Sequence, residues 1–181
     1  MVEALDWAHG VFTGAAVASE TTAAAVGQIG QVRRDPMAML PFCGYNMGSY
    51  FKHWLTVGNA TQADKLPKIF FVNWFRRDES GRFLWPGYGE NSRVLKWVFE
   101  RVSGTGAAVE TPIGLLPTEG QIDTTGLDVS AADMQELLAV DRSGWQAAVP
   151  QIREHYAAFG PKLPNQLAAA LDSLDKALAN A

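Results

Sequence analysis

The chain is poor in the residues that do chemistry through thiols or metals. It has one cysteine, Cys43, and three histidines, His9, His53 and His155, among 181 residues. A single cysteine cannot form an internal disulfide, which fits a reducing compartment. In Pro41-Phe-Cys-Gly44 it reads as a buried thiol without a base or cationic setting to activate it. No two histidines have metal-ligand spacing, and none adjoins a group of carboxylates, so no metal ligand is expected from this chain. His9 and His53, each near a Trp in apolar surroundings, read as packing residues. Basic runs stop at Arg33-Arg34 and Arg76-Arg77, and the net charge is −4. That argues against a nucleic-acid or anionic membrane partner; the pairs are expected to meet carboxylates or phosphates. No apolar run approaches a membrane span, and the start lacks a basic and apolar leader pattern, so the expected location is cytoplasmic. A Gly-x-x-x-x-Gly-Lys-Ser/Thr phosphate loop is also missing. The glycine-rich pieces Gly87–Gly89 and Gly104–Gly106 have no lysine at the required place, and no catalytic residue is assigned within the chain.

What is present is a core and a concentration of rings. With 48% hydrophobic and 19% charged residues the chain can bury an interior of its own. Its most informative stretch runs from Lys68 to Arg93. An apolar strand, Lys68 to Phe75, enters a charged turn, Arg76 to Gly81, and a second apolar run, Arg82 to Trp85, follows. Pro86 and Gly87 end it. The segment Gly87-Tyr-Gly-Glu-Asn-Ser92 then leads into a helix with apolar positions Val94, Leu95, Val98, Phe99 and Val102, capped by Asn91 or Ser92. A flat heteroaromatic base needs π-faces and hydrogen-bond partners at its rim. Phe75, Phe83 and Tyr88 offer the first, the amide of Asn91 offers the second, and glycines flanking Tyr88 let backbone approach.

Elsewhere the pattern is simpler. Met1 to Leu5 reads as a strand leading into the segment Trp7 to Val17, and Glu110 to Pro117 as a loop and strand. Ser130, with Asp133 three residues on, caps a helix carrying Met134, Leu137 and Leu138. A second helix carries Trp145, Val149, Ile152, Tyr156 and Phe159, bends at Pro150 and ends at Gly160-Pro161. The last, from about Pro164, repeats Leu167, Leu171, Leu174 and Leu178 at helical spacing; it is too short for a coiled coil and is expected to pack on the body of the domain. Ser19 to Gln31 holds small and polar residues with only Val26 and Ile29 as bulky anchors, which fits either an easily opened segment or an Ala-rich helix.

Five stretches together resemble the GTP-dependent phosphoenolpyruvate carboxykinases, in an actinobacterial-like form: Trp7-Ala-His-Gly-Val-Phe-Thr-Gly14, Ser19-Glu-Thr-Thr-Ala-Ala-Ala25, Arg34-Asp-Pro-Met-Ala-Met-Leu-Pro-Phe42, Gly44-Tyr-Asn-Met-Gly48, and Leu66 to Trp97. The resemblance covers nearly the whole chain. It implies an α/β fold: the C-terminal part of the carboxykinase mononucleotide-binding domain, with a few strands, several helices and a helical tail. It implies one domain over 1–181, with a lid at 19–32, a guanine-binding cassette at 68–93 and the tail at 130–181. By the same resemblance Phe75 and Tyr88 flank the guanine, Phe83 lies near it, Asn91 bonds it, and Gly89 and Glu90 complete the nucleotide segment. Ser19, Glu20, Thr21, Thr22, Ala23, Ala24 and Ala25 belong to a lid that shuts water out. Tyr88 stands where many members carry Phe.

The implied reaction is decarboxylation of oxaloacetate to an enolate and its phosphorylation by GTP, giving phosphoenolpyruvate, carbon dioxide and GDP in gluconeogenesis. The phosphate loop and the Mn2+ ligands of the family precede the matched part, so the implied partners are a guanine nucleotide and a missing N-terminal part, and the chain alone is expected to be inactive. Two other readings stay open: a stand-alone guanine-nucleotide-binding module without catalysis, and an inactive truncated fragment.

Overall fold

The computed structural model describes residues 1–20 and 32–180. Helices and short antiparallel strands make an α/β chain that divides into two compact units. The first comprises Met1–Leu5 and Lys68–Asp141, the second Asp6–Pro67 and Arg142–Ala181. The expected helical tail is thereby divided, its first helix belonging to one unit and its last two to the other.

In the first unit, β1 (Val2–Glu3) lies between β4 (Phe70–Phe71) and β6 (Gly114–Pro117), and β5 (Ala108–Thr111) forms the far edge, all neighbours antiparallel. The loop and strand expected at Glu110 to Pro117 comprises the end of the first arm, the turn and the second arm of a hairpin that starts at Ala108. Helix α3 (Asn91–Val102) places Trp97, fully buried, in a core with Trp85, Val94 and Ile122. The Trp97 indole N–H donates to the carbonyl of Ala107, so its one polar atom is satisfied inside. The buried face of α3 is Val94 and Trp97, while Leu95, Phe99 and Val102 are exposed. The expected stripe is thus displaced around the helix, because the largest ring fixes which side faces the sheet.

Buried Glu3 ties this unit together. It accepts from Arg101 of α3 and, at 2.8 Å, from Lys68 beside β4. Burial alone would push the Glu3 carboxyl up, but the hydrogen bonds and charges of Arg101 and Lys68 outweigh it and hold it below the usual range.

The second unit is mainly helical. Helix α1 (Trp7–Ala16) begins at Asp6, whose carboxylate accepts from the His9 backbone N–H at 2.7 Å. It packs on α2 (Met47–Asn59) and α6 (Asn165–Asn180), and α6 packs on α5 (Arg142–Ala157). The contact of α1 with α2 is close at Gly58, where a Cβ would stand 2.2 Å from the Trp7 ring, and the Trp7 indole donates to the carbonyl of Trp54 at 2.8 Å. Leu167, Leu171, Leu174 and Leu178 are all buried, as their spacing predicts, and α5 runs through Pro150 to bury Val149, Ile152 and Tyr156.

Strands β2 (Ala18–Glu20) and β3 (Val32–Arg34) pair antiparallel. Of the lid expected at 19–32, Ser19 and Glu20 fall in β2 and Val32 in β3; Thr21, Thr22, Ala23, Ala24 and Ala25, with the rest up to Gln31, lie outside the described residues. Two packing expectations fail here. Cys43 is partly exposed, because it follows a short 3-10 turn, Leu40–Phe42, that turns Phe42 outward. His53 lies on the outer face of α2 and meets only the edge of Tyr50, whereas His9 stacks on Phe12. No described helix is long and apolar enough to cross a membrane.

Candidate nucleotide-binding site

The candidate site is built on a segment whose side chains alternate. From Phe70 to Arg77, through a short strand, an unpaired stretch and a turn at Trp74–Phe75, successive residues alternate between half-buried and exposed. Phe70, Val72 and Trp74 pack against the core, and Phe71, Asn73, Phe75 and Arg77 are exposed. Only Phe70 and Phe71 belong to the sheet, so the strand expected from Lys68 to Phe75 is mostly unpaired chain held by its inward residues. Phe75 is left 73% exposed. No core would tolerate that loss of burial without something else to hold the segment in place.

Polar ties do the holding. Asn73 Oδ1 accepts from the Phe75 N–H at 3.0 Å. A tight hairpin follows, with Arg77 bridging Phe83 and the Leu84 N–H donating to the Arg76 carbonyl at 3.0 Å. Asp78 organises its turn by accepting from the Ser80 N–H, the Ser80 hydroxyl and the Arg82 N–H. Those bonds, led by the Ser80 hydroxyl, hold its carboxyl below the ordinary range. Two arginines then fasten the hairpin to helix α4 (Ala131–Leu138). Arg76 donates to the carbonyls of Leu137 and Ala139 at the C-terminal end, both at 3.2 Å, where a helix favours a cation. Arg82 pairs with Asp133 at the N-terminal end. Asp133 also completes the capping box with Ser130, and Arg82 followed by Ser130 draws its carboxyl down to about 2. The expectation that both basic pairs meet carboxylates or phosphates therefore holds for Arg33, which pairs with Asp35, and not for the others. Arg34 and Arg76 bind backbone carbonyls, and Arg77 lies over the Phe83 ring with 4.1 Å to its centroid.

The rings are set out as follows. Phe75 and Phe83 meet edge to face, with centroids 6.3 Å apart and planes at 62°. With Arg77 on one face and Phe75 at its side, Phe83 is placed to buttress Phe75. Tyr88 opens a 3-10 turn, Tyr88–Glu90, entered through Gly87 at φ 108°, a conformation that favours glycine. Its side chain is 94% exposed and, among the described residues, contacts no other ring. Gly89 stands in open space. Glu90 accepts from Arg93, and the same guanidinium donates to the carbonyls of Asp123 at 2.9 Å and Thr125 at 3.1 Å, so this turn too is tied by an arginine.

Neither expected cap is used at the start of α3. Glu90 occupies the cap position without a side-chain bond, and Asn91 is the first helical residue. Asn91 Oδ1 instead accepts from the Trp85 indole at 2.9 Å, and a tertiary partner has thus displaced the local one. Trp85, Arg93, Arg76 and Arg82 lie in the expected cassette but were given no role in it from sequence, and Asp133 was read only as part of a helix cap. Only the Asp78-Glu-Ser80 turn pattern and the spacing of Glu90 and Arg93 could have pointed to its ties.

The four candidate side chains Phe75, Phe83, Tyr88 and Asn91 all belong to the first unit, and all but Asn91 are more exposed than their type requires. Among the described residues, no group of three or more His, Cys, Asp or Glu could hold a metal ion.

The fold, helices with short antiparallel strands, is that of an α/β domain. Residues 1–177 match the family described as phosphoenolpyruvate carboxykinase C-terminal P-loop domain, and the chain belongs to that family. It is 56% identical over 175 residues to the phosphoenolpyruvate carboxykinase [GTP] of Treponema pallidum (strain Nichols), covering 96% of this chain and 28% of that protein. To the enzyme of the same name from Neocallimastix frontalis it is 58% identical over 173 residues, 95% of this chain and 28% of the relative. To that of Arthrobacter sp. (strain FB24) it is 50% identical over 180 residues, 99% of this chain and 30% of the relative. The chain therefore spans about three tenths of the length of these relatives.

Proposed function

We propose that this chain supplies the guanine-binding site and the active-site lid of a GTP-dependent phosphoenolpyruvate carboxykinase, which converts oxaloacetate and GTP into phosphoenolpyruvate, carbon dioxide and GDP. The observation that carries the reading is that Phe75 and Tyr88 are left exposed, at 73% and 94%, on segments fastened by polar ties, while the Asn91 amide nitrogen makes no hydrogen bond among the described residues. Large rings held in water have a use when a flat ligand covers them.

In this reading the base lies against Phe75 and Tyr88, Phe83 backs the first ring, Gly89 and Glu90 shape the turn, and Asn91 bonds the rim. The rings do no bond-making. They orient the nucleotide so that its phosphates reach groups supplied from outside this chain, an effect of position rather than of covalent chemistry. The lid, Ser19 to Val32, would exclude water from the enolate. Manganese would be held outside these residues, and the nucleotide-binding chain by itself would not turn over.

The test is calorimetric titration of the folded chain with GDP and, in parallel, ADP. Binding of GDP with little of ADP is expected. A folded chain that binds GDP no better than ADP would overturn the reading.

A further inference from the structure

Trp85 stands inside the core, 6% exposed, with its indole nitrogen 2.9 Å from Asn91 Oδ1. An indole nitrogen only donates, so the atom it faces must be the oxygen of the amide. The usual ambiguity of an Asn side chain, which can turn its oxygen and nitrogen end for end, is removed by a partner that packing immobilises. Asn91 Nδ2 and its donors remain, and they make no hydrogen bond among the described residues.

A fixed donor discriminates between purines. Guanine presents O6 and N7 along one edge, both acceptors, whereas adenine pairs the N7 acceptor with an amino donor. A free amide could turn to suit either edge. An amide with its oxygen already engaged would meet the adenine amino group donor against donor.

We infer that Trp85 is a specificity-determining residue: by holding Asn91 Oδ1 it makes the site select a 6-oxo purine over a 6-amino purine. This rests on the reading of Asn91 as the residue that bonds the base. Trp85 is a positioning residue, since it acts through Asn91 and need not touch the nucleotide.

The experiment is calorimetric titration of the full chain, wild type and Trp85→Phe, with GDP, inosine diphosphate and ADP. Inosine diphosphate keeps O6 and lacks the 2-amino group, so it isolates the contact in question. The wild type should prefer both 6-oxo nucleotides to ADP by about tenfold or more. In Trp85→Phe that ratio should shrink several-fold. A loss of folded protein lowers binding of all three alike and leaves the ratio unmoved, which separates positioning from general damage. If Trp85→Phe does not fold, replacing the indole with a benzothiophene, which has the same shape and no N–H, makes the same comparison. A selective wild type whose ratio is unchanged in these variants overturns the role of Trp85 and leaves the base site intact. Preference for GDP without preference for inosine diphosphate overturns it too, since selection would then rest on the 2-amino group. A folded wild type that binds GDP no better than ADP removes the base site and this inference together.

Discussion

The two units are held by different forces. In the second, the Leu167, Leu171, Leu174 and Leu178 stripe of α6 and the buried Val149 and Ile152 of α5 do the work by removing apolar area from water. In the first, a comparable core around Trp97 supports the sheet and takes in Trp74 and Trp85, but the exposed parts of the ring-bearing hairpin and turn rest on Asp78, Arg76, Arg82 and Arg93. Rings that must meet a ligand cannot also anchor their own backbone by burial. Where a surface is kept apolar and open, directional bonds have to replace packing.

Substitutions can separate the two kinds of support. The largest effect is expected from Leu171→Ala, 1% exposed in α6, which should cost about 3–4 kcal/mol through lost burial and a cavity, read from urea denaturation followed by circular dichroism. Glu3→Ala leaves Arg101 beside the sheet without its carboxylate and should cost roughly 3 kcal/mol in the same assay. Arg93→Ala frees the carbonyls of Asp123 and Thr125 and the Glu90 turn, for about 1–2 kcal/mol. Its GDP affinity should fall by more than that of Leu171→Ala when both are measured as folded protein.

Phe75→Ala should sharpen the contrast further. At 73% exposure it should change stability by less than about 0.5 kcal/mol, yet weaken GDP binding by about tenfold if the ring stacks on the base. A large stability loss with unchanged GDP affinity would make Phe75 a structural ring.

The smallest effect concerns acid. Asp133 is held at about 2 in the folded chain, against about 3.9 for an unfolded carboxylate, so its pairing with Arg82 and Ser130 stabilises fully above the higher value. That contribution is lost as pH falls through the folded value. The stability difference between wild type and Asp133→Asn should therefore narrow between about pH 4 and pH 2. A difference that stays constant across that range would show that the pair is already open.

Sequence reading succeeded where one local rule decides the outcome. The α6 leucines and the Ser130 capping box follow from spacing alone. It fell short where a distant partner outweighed the local preference. Asn91 is well suited to cap α3, but the Trp85 indole engages its oxygen. Leu95 and Phe99 have helical spacing, but Trp97 takes the inner side. The same limit applies to the candidate site. Its rings were legible as a cluster of aromatic residues, whereas Arg76, Arg82 and Arg93 also bind carbonyls and carboxylates 30 to 63 positions away, and no short-range pattern marks those bonds.

The alternation from Phe70 to Arg77 also bears on how this chain can vary. Positions of one parity carry the fold and positions of the other face outward, where the proposed base site lies. On the proposed reading, exchanges at the outward Phe75 can retune what is recognised without disturbing the interior. Deleting Asn73 would shift the following residues by one place, driving Trp74 outward and Phe75 inward, and would cost structure and, on the proposed reading, recognition in one event. Along this segment, then, substitution is a graded change and insertion or deletion an all-or-none one.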